Sequence, residues 1–191
     1  MTTVFIAYGS RHGGTEGIAE RIGEVLRMDG IEAFVVPADR VPALDGVDAV
    51  VLGSGVYMGR WLDEPIHFLE HHLEELAARP LWLFSSGPVS GPATEQAGDL
   101  LSAALGPEDG PGSGGRKKVM ELAAATKARD HAIFLGRFDP SDPPRGIAER
   151  FVRLMPAAKG ALPPGDFRDW DHVEAWAHEI AAALTPAVAT T

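Results

Sequence analysis

The residues best placed to do chemistry stand together near the start of the chain, Ser10-Arg11-His12-Gly13-Gly14-Thr15, between an apolar run and a helix-patterned segment. The run, Val4 to Tyr8, reads as a buried parallel strand that delivers the chain to a helix N-terminus through a loop of little bulk. Such a turn offers a row of backbone N–H groups, the positive end of a helix dipole and the hydroxyls of Ser10 and Thr15. That combination suits a phosphate. Two familiar phosphate loops are excluded. A triphosphate loop requires Gly-Lys-Ser/Thr, and no lysine stands here. A dinucleotide fingerprint requires Gly-x-Gly-x-x-Gly, whereas this loop has Gly9 and then Gly13-Gly14. Asp39 ends a second apolar stretch where a ribose-binding acid would sit; without the glycine pattern it reads as an ordinary loop residue.

Two further small-residue stretches follow apolar runs, Ser54-Gly55-Val56-Tyr57-Met58-Gly59-Arg60-Trp61 and Ser85-Ser86-Gly87-Pro88. Both read as loops. Tyr57 and Trp61 are candidates to stack on a planar ligand, and Gly55, Gly59 and Gly87 would let backbone approach its edge. Ser54 lacks the Gly-x-Ser-x-Gly elbow of a hydrolase. His67, His71 and Glu74 share a helix face, but that face lies opposite the Ile66/Leu69/Leu73 stripe, so a solvated surface is expected and no metal site. Arg116-Lys117-Lys118 reads as a solvated helix start.

The elements that must position these loops alternate. After the first loop, Ile18, Ile22, Val25 and Leu26 recur at helical spacing, with Thr15 as the expected cap and Gly30 as the stop. Glu32–Pro37 and Asp48–Gly53 are strands, Glu64–Ala78 a helix, and Leu81–Phe84 and His131–Phe138 two more strands. The last helix spans Trp170–Leu184 and puts Val173, Trp176, Ala177, Ile180 and Leu184 on one face. Alternation of this kind implies an α/β fold, an open doubly wound sheet of five parallel strands with helices on both faces. Ligands bind such sheets at the carboxyl ends of strands near the switch in strand order, where the three loops fall. One domain over residues 1–191 is expected, with a long flexible insertion at about 88–129 around a glycine-rich centre and helices near Thr94–Leu105 and Lys117–Lys127. Pro143–Pro164 is a second addition, with a short helix expected.

A formal net charge of -10 over 191 residues argues against nucleic acid and anionic membrane surfaces as partners. The absence of cysteine removes disulfides, thiolate metal sites and cysteine nucleophiles. No signal peptide and no stretch able to span a bilayer are visible, so a cytoplasmic protein without stable membrane insertion is expected.

Tyr8-Gly-Ser-Arg-His-Gly-Gly-Thr-Glu-Gly-Ile-Ala19 resembles the phosphate loop and first helix of flavodoxin-like proteins, closest to the branch that includes bacterial menaquinone-dependent protoporphyrinogen dehydrogenase. The resemblance extends through Val50–Trp61, Phe68–His72 and Asp166-Phe-Arg-Asp-Trp-Asp-His-Val173. It implies a flavodoxin-like sheet of order 2-1-3-4-5 and FMN as cofactor, with no catalytic side chain because FMN carries the chemistry. By that resemblance Ser10, Arg11, His12, Gly13, Gly14 and Thr15 would grip the phosphate. Ser54, Gly55, Val56, Tyr57, Met58, Gly59 and Trp61, with Ser85, Ser86, Gly87 and Pro88, would flank the isoalloxazine ring. Gly59 is where a peptide could reorient on reduction. The function implied is an FMN oxidoreductase, quinone-linked in the manner of protoporphyrinogen dehydrogenase; a flavodoxin-type electron carrier is the alternative. The partners implied are a redox partner protein, a quinone or a small organic substrate.

Overall fold

The computed structural model describes residues 1–87, 104–105, 108, 113–144 and 164–185. Pro88, most of the expected helix near 94–105, more than half of the glycine-rich centre at 106–115 and most of the expected helix within 143–164 lie outside these residues.

The elements in chain order are β1 (Thr3–Gly9), α1 (Gly14–Met28), β2 (Glu32–Pro37), a 3-10 turn at Ala38–Arg40, β3 (Ala49–Tyr57) and β4 (Arg60–Trp61). After these come α2 (Asp63–His71), α3 (Leu73–Ala77), β5 (Leu81–Ser86), α4 (Gly114–Ala125), β6 (Asp130–Phe134), β7 (Arg137–Phe138), β8 (Gly165–Asp166) and α5 (Trp170–Leu184). Five parallel strands run in the order β2-β1-β3-β5-β6, and β4 folds back on β3. Counting the parallel strands alone, this is the expected order 2-1-3-4-5. Pairing brings Gly9 level with Ser54, and Gly55 level with Ser86, so the carboxyl ends of the three central strands form one edge.

Each face of the sheet is buried under its own helices. Val4, Ile6, Val51, Trp82, Phe84 and Phe134 pack with Ile18, Ile22 and Leu26 of α1 and Val173, Trp176 and Ile180 of α5. Ala7, Val50, Leu52, Leu81 and Leu83 pack on the other face with Phe68 and Leu69 of α2, Leu76 of α3 and Val119 and Leu122 of α4. Gly53 is where the first face is tightest: a Cβ there would come within 1.9 Å of Phe84 Cζ, so the Phe84 ring occupies the volume that a side chain would need.

Several boundaries differ from the sequence reading, each for a local reason. The stop of α1 is as expected: Gly30 has φ 81, and Gly30 N–H and Ile31 N–H donate to Arg27 and Leu26 carbonyls at 3.1 and 3.0 Å, a Schellman closure. Its start is not. Gly13 occupies the cap with φ 73 and offers no side-chain acceptor, while Thr15 is buried inside the first turn. The stretch Ser54–Tyr57, expected as loop, continues β3, because Met58 and Gly59 with φ 52 and 73 make a tight two-residue turn and Val56 and Tyr57 pair with Trp61 and Arg60. Positive φ at both central residues is the hairpin geometry that matches strand twist.

Ser85 and Ser86 likewise end β5 rather than open a loop. The expected helix 64–78 breaks at His72 (φ -107), whose ring lies 4.9 Å from that of Phe68 and whose Nδ1 is 2.7 Å from Glu75 Oε2. The expected strand 131–138 ends at Phe134; Arg137 and Phe138 leave the sheet and pair with Asp166 and Gly165 in a separate antiparallel ribbon.

Candidate functional site

The first loop is held from below and from the side. Pro65, at the start of α2, presses on Gly9, where a Cβ would meet its Cγ at 2.5 Å. The β7–β8 ribbon presses on α1: an ideal Cβ at Gly14 would lie 3.6 Å from Arg137 Cγ, and one at Gly17 would lie 2.6 Å from Arg168 Nη1. Glycine at position 17 admits Arg168, while the contact at Gly14 is an ordinary one. Arg168 is clamped in turn by Asp166, which accepts from its Nε at 2.8 Å and holds its own carboxyl below the usual carboxylate range through that hydrogen bond.

Within this frame the loop keeps donors in reserve. The first N–H groups of α1 have no acceptor inside the helix, and Gly13 carries no side chain to cap them. Ser10 Oγ is buried with no hydrogen-bond partner. A buried hydroxyl without a partner is unfavourable by about 1–3 kcal/mol unless something else satisfies it. Thr15 is 4% exposed and its Oγ1 faces Gly55 on β3, 3.0 Å from where a Cβ would stand. Arg11 lies over the Tyr57 ring, 4.9 Å from its centroid, and the His12 ring is 6.4 Å from the same ring. The loop and the β3–β4 hairpin therefore form one continuous rim, with donors on one side and an aromatic on the other. These residues fit a phosphate monoester attached to a planar group.

Tyr8, at the end of β1, donates its hydroxyl to Glu16 Oε1 at 2.7 Å. Burial first, and Glu16 second, push that hydroxyl's pKa upward, so it stays protonated and fixes the carboxylate in the first turn of α1.

The other expected site residues divide. Met58 is 83% exposed at the hairpin tip, and Gly59 behind it turns its carbonyl to α4: a Cβ at Gly115 would stand 2.1 Å from that oxygen. Gly87 (φ 108) closes onto β6, its N–H donating to Phe134 O at 3.0 Å. Ser54, Ser85 and Trp61 turn inward. Ser54 Oγ donates to Gly55 O at 2.9 Å and accepts from Leu62 N–H at 3.0 Å. Trp61 Nε1–H donates to Ser85 Oγ at 2.8 Å, which is also bonded to His131 Nε2 at 2.9 Å. Trp61 is 5% exposed and stands edge-on to His131, so its indole is part of the interior and Tyr57 is the aromatic at the rim. His67, His71 and Glu74 are exposed, and no group of metal-ligating side chains occurs among the described residues.

Sequence reasoning missed His131, Arg137, Asp142 and Arg168. A lone histidine in the apolar run Asp130–Phe134 was the available signal for the first. Burial lowers its pKa to about 4, so at neutral pH it is an uncharged member of the Trp61–Ser85–His131 chain. The others reach the loop only because the ribbon folds back, which no local pattern announces.

Comparison with known proteins places this architecture. The family described as Flavodoxin domain matches residues 5–142. A point mutant of flavodoxin from Pseudomonas aeruginosa superposes with a TM-score of 0.57 at 20% sequence identity, over 96% of this chain and 99% of that chain. Oxidised flavodoxin 1 from Bacillus cereus gives 0.58 at 14% identity, over 96% and 100%. Rubredoxin oxygen:oxidoreductase from Desulfovibrio gigas gives 0.57 at 16% identity, over 96% of this chain and 36% of that chain. At these identities the structural likeness speaks to the fold. No helix among the described residues is long and apolar enough to cross a membrane.

Proposed function

The chain belongs to the flavodoxin domain family, whose cofactor is FMN, and on that premise we propose that it is an FMN-dependent oxidoreductase with a substrate of its own, a quinone-linked dehydrogenase of the protoporphyrinogen-dehydrogenase type. The observation that carries the flavin part is the buried, unpartnered Ser10 hydroxyl beside a helix start capped only by a left-handed glycine. When bound, FMN supplies electron and hydride transfer. The chain's own residues supply position. Ser10 Oγ and the N–H groups of Gly14, Thr15 and Glu16 would hold the phosphate, and Tyr57 would flank the ring. Ser54, Ser85 and Trp61 hold the hairpin that carries Tyr57 rather than touching the cofactor. Tyr8 keeps its proton and serves as an anchor for Glu16, not as a base.

The substrate part is supported by the β7–β8 ribbon, an addition to the five-stranded plan that sits on the phosphate loop. A carrier has no need of a second layer there. The alternative, a flavodoxin-type carrier, is favoured by the net charge of -10, which would steer basic partner proteins, and by Met58 exposed at the rim. The two separate in one anaerobic experiment on the FMN-loaded protein, with a porphyrinogen as donor and menaquinone as acceptor. Oxidation of the porphyrinogen above the protein-free rate is the expected result. No oxidation, together with a reductive titration that resolves two one-electron stages, overturns the dehydrogenase in favour of the carrier.

A further inference from the structure

We propose that Asp142 is an internal counter-anion of the phosphate loop, and that Arg137 is the cation it holds there until a phosphate arrives. The inference rests on the reading of this loop as the cofactor-phosphate site. Its basis is geometric. One oxygen, Asp142 Oδ2, is shared by groups from two segments: Arg137 Nη2 donates to it at 3.2 Å, and His12 Nδ1 lies 3.9 Å from it. His12 is in the loop; Arg137 is on β7, and its Cγ and backbone N lie 3.6 and 3.8 Å from the Cβ position of Gly14, the first residue of α1. The Arg137–Asp142 pair therefore lies at the mouth of the loop, beside donors that the helix itself leaves unused.

The electrostatic consequence has a definite sign. A phosphate monoester brings close to two negative charges to the loop. There it meets Glu16, already fixed in the first turn by Tyr8, and Asp142. Both oppose it, and neither is screened effectively at contact range. Arg137 is rooted beside Gly14, with its Cγ 3.6 Å from that Cβ position, and its flexible side chain can exchange the carboxylate for a phosphate oxygen, because guanidinium pairs with either by the same charge-assisted hydrogen bonds. Asp142 thus competes with the phosphate for Arg137. It keeps the guanidinium at the loop in the free protein and lowers the affinity for the anion. Arg168 does not share this role: its Asp166 clamp lies within the ribbon, and its Nη1 faces the Gly14 carbonyl.

The test compares FMN with riboflavin, which carries the same ring and no phosphate, by fluorescence-quenching titration of the full chain and its Arg137→Gln and Asp142→Asn variants. Arg137→Gln is expected to weaken FMN about tenfold, the effect of one charge-assisted hydrogen bond, with riboflavin unchanged. Asp142→Asn is expected to tighten FMN several-fold, again with riboflavin unchanged, and to flatten the salt dependence of FMN binding. Thermal unfolding of each variant checks that it is folded, and Arg137→Lys, which keeps the charge, is expected to fall between Arg137→Gln and the parent. FMN-to-riboflavin affinity ratios equal to the parent's in the folded variants overturn the inference alone. So does weaker FMN binding by Asp142→Asn, which would make Asp142 a positioning group. A parent chain that takes up riboflavin and FMN equally, or neither, overturns the functional reading and this inference with it.

Discussion

The first and second small-residue stretches look alike in the sequence and do opposite things in the structure. Both follow an apolar strand, and both mix glycine with hydroxyl-bearing and aromatic or basic residues. In the first, Ser10 to Thr15, polar groups are left over: a buried hydroxyl without a partner and a helix start without a side-chain cap. In the second, Ser54 to Trp61, the buried side-chain groups are paired. Ser54 bonds to Gly55 and Leu62, and Trp61 bonds to Ser85, which bonds to His131 Nε2; the far nitrogen of that ring, Nδ1, is buried without a partner at the end of this hydrogen-bonded chain. A stretch with donors to spare is built to receive something. A stretch whose buried hydroxyl and indole are paired is built to hold its shape. Composition does not separate the two, and hydrogen-bond satisfaction does.

The contrast can be tested from its strongest point downward. Ser85→Ala removes the shared hydroxyl of the brace and leaves both Trp61 Nε1–H and His131 Nε2 buried without a partner. It is expected to lower stability by about 4 kcal/mol, taking about 2 kcal/mol for each orphaned group, as read by urea unfolding. A loss below about 1 kcal/mol would show that the brace is not one.

The next effect is of similar size and depends on pH. His131 has a folded pKa of about 4 against an ordinary 6.5, lowered by burial. Below pH 6.5 the unfolded chain takes up a proton that the folded chain refuses until about pH 4. Stability therefore falls across that window, by up to about 3 kcal/mol from this group. Unfolding free energies at pH 7 and pH 4 for the parent and His131→Gln check it: the parent should lose more than the variant, and equal losses would break the assignment.

Ser10→Ala should behave in the reverse manner to Ser85→Ala. Stability stays level or rises by up to about 1 kcal/mol, because an unsatisfied group is removed, while FMN affinity falls about tenfold. Destabilisation without a change in affinity would move Ser10 into the brace class.

The smallest effect is at the hairpin tip. Met58 holds φ 52, a conformation that glycine adopts without strain, so Met58→Gly is expected to change stability by no more than about 1 kcal/mol, in the stabilising direction, by thermal unfolding.

How much of this was legible follows from how local each signal is. The strand β2, the helix α5 and the Gly30 stop of α1 were readable because periodicity, capping and a left-handed glycine are properties of a few neighbouring residues. The strand order and the position of the loops at one sheet edge followed from alternation and the handedness of crossovers. The hairpin at Met58-Gly59 was missed because a methionine in the left-handed region is an unusual turn residue, and its pairing with Arg60-Trp61 is too short to show a period. The ribbon that brings Arg137, Asp142 and Arg168 to α1 joins residues far apart in sequence, and only Gly17, which makes room for Arg168, hints at its presence. Trp61 was expected at the ring and is in the core, because an indole can satisfy its N–H inside the protein when a serine stands across the strand.

The most direct measurement of the central claim is the visible absorption spectrum of FMN titrated with the parent chain and with Gly14→Asp. An acidic residue in the first turn favours a helix start, and the Cβ position at Gly14 has ordinary contacts, the nearest atom being Arg137 Cγ at 3.6 Å, so the fold should survive while the phosphate is repelled. The account predicts a bound-flavin shift with the parent and none with the variant. No shift with the parent, or an equal shift with both, would contradict it.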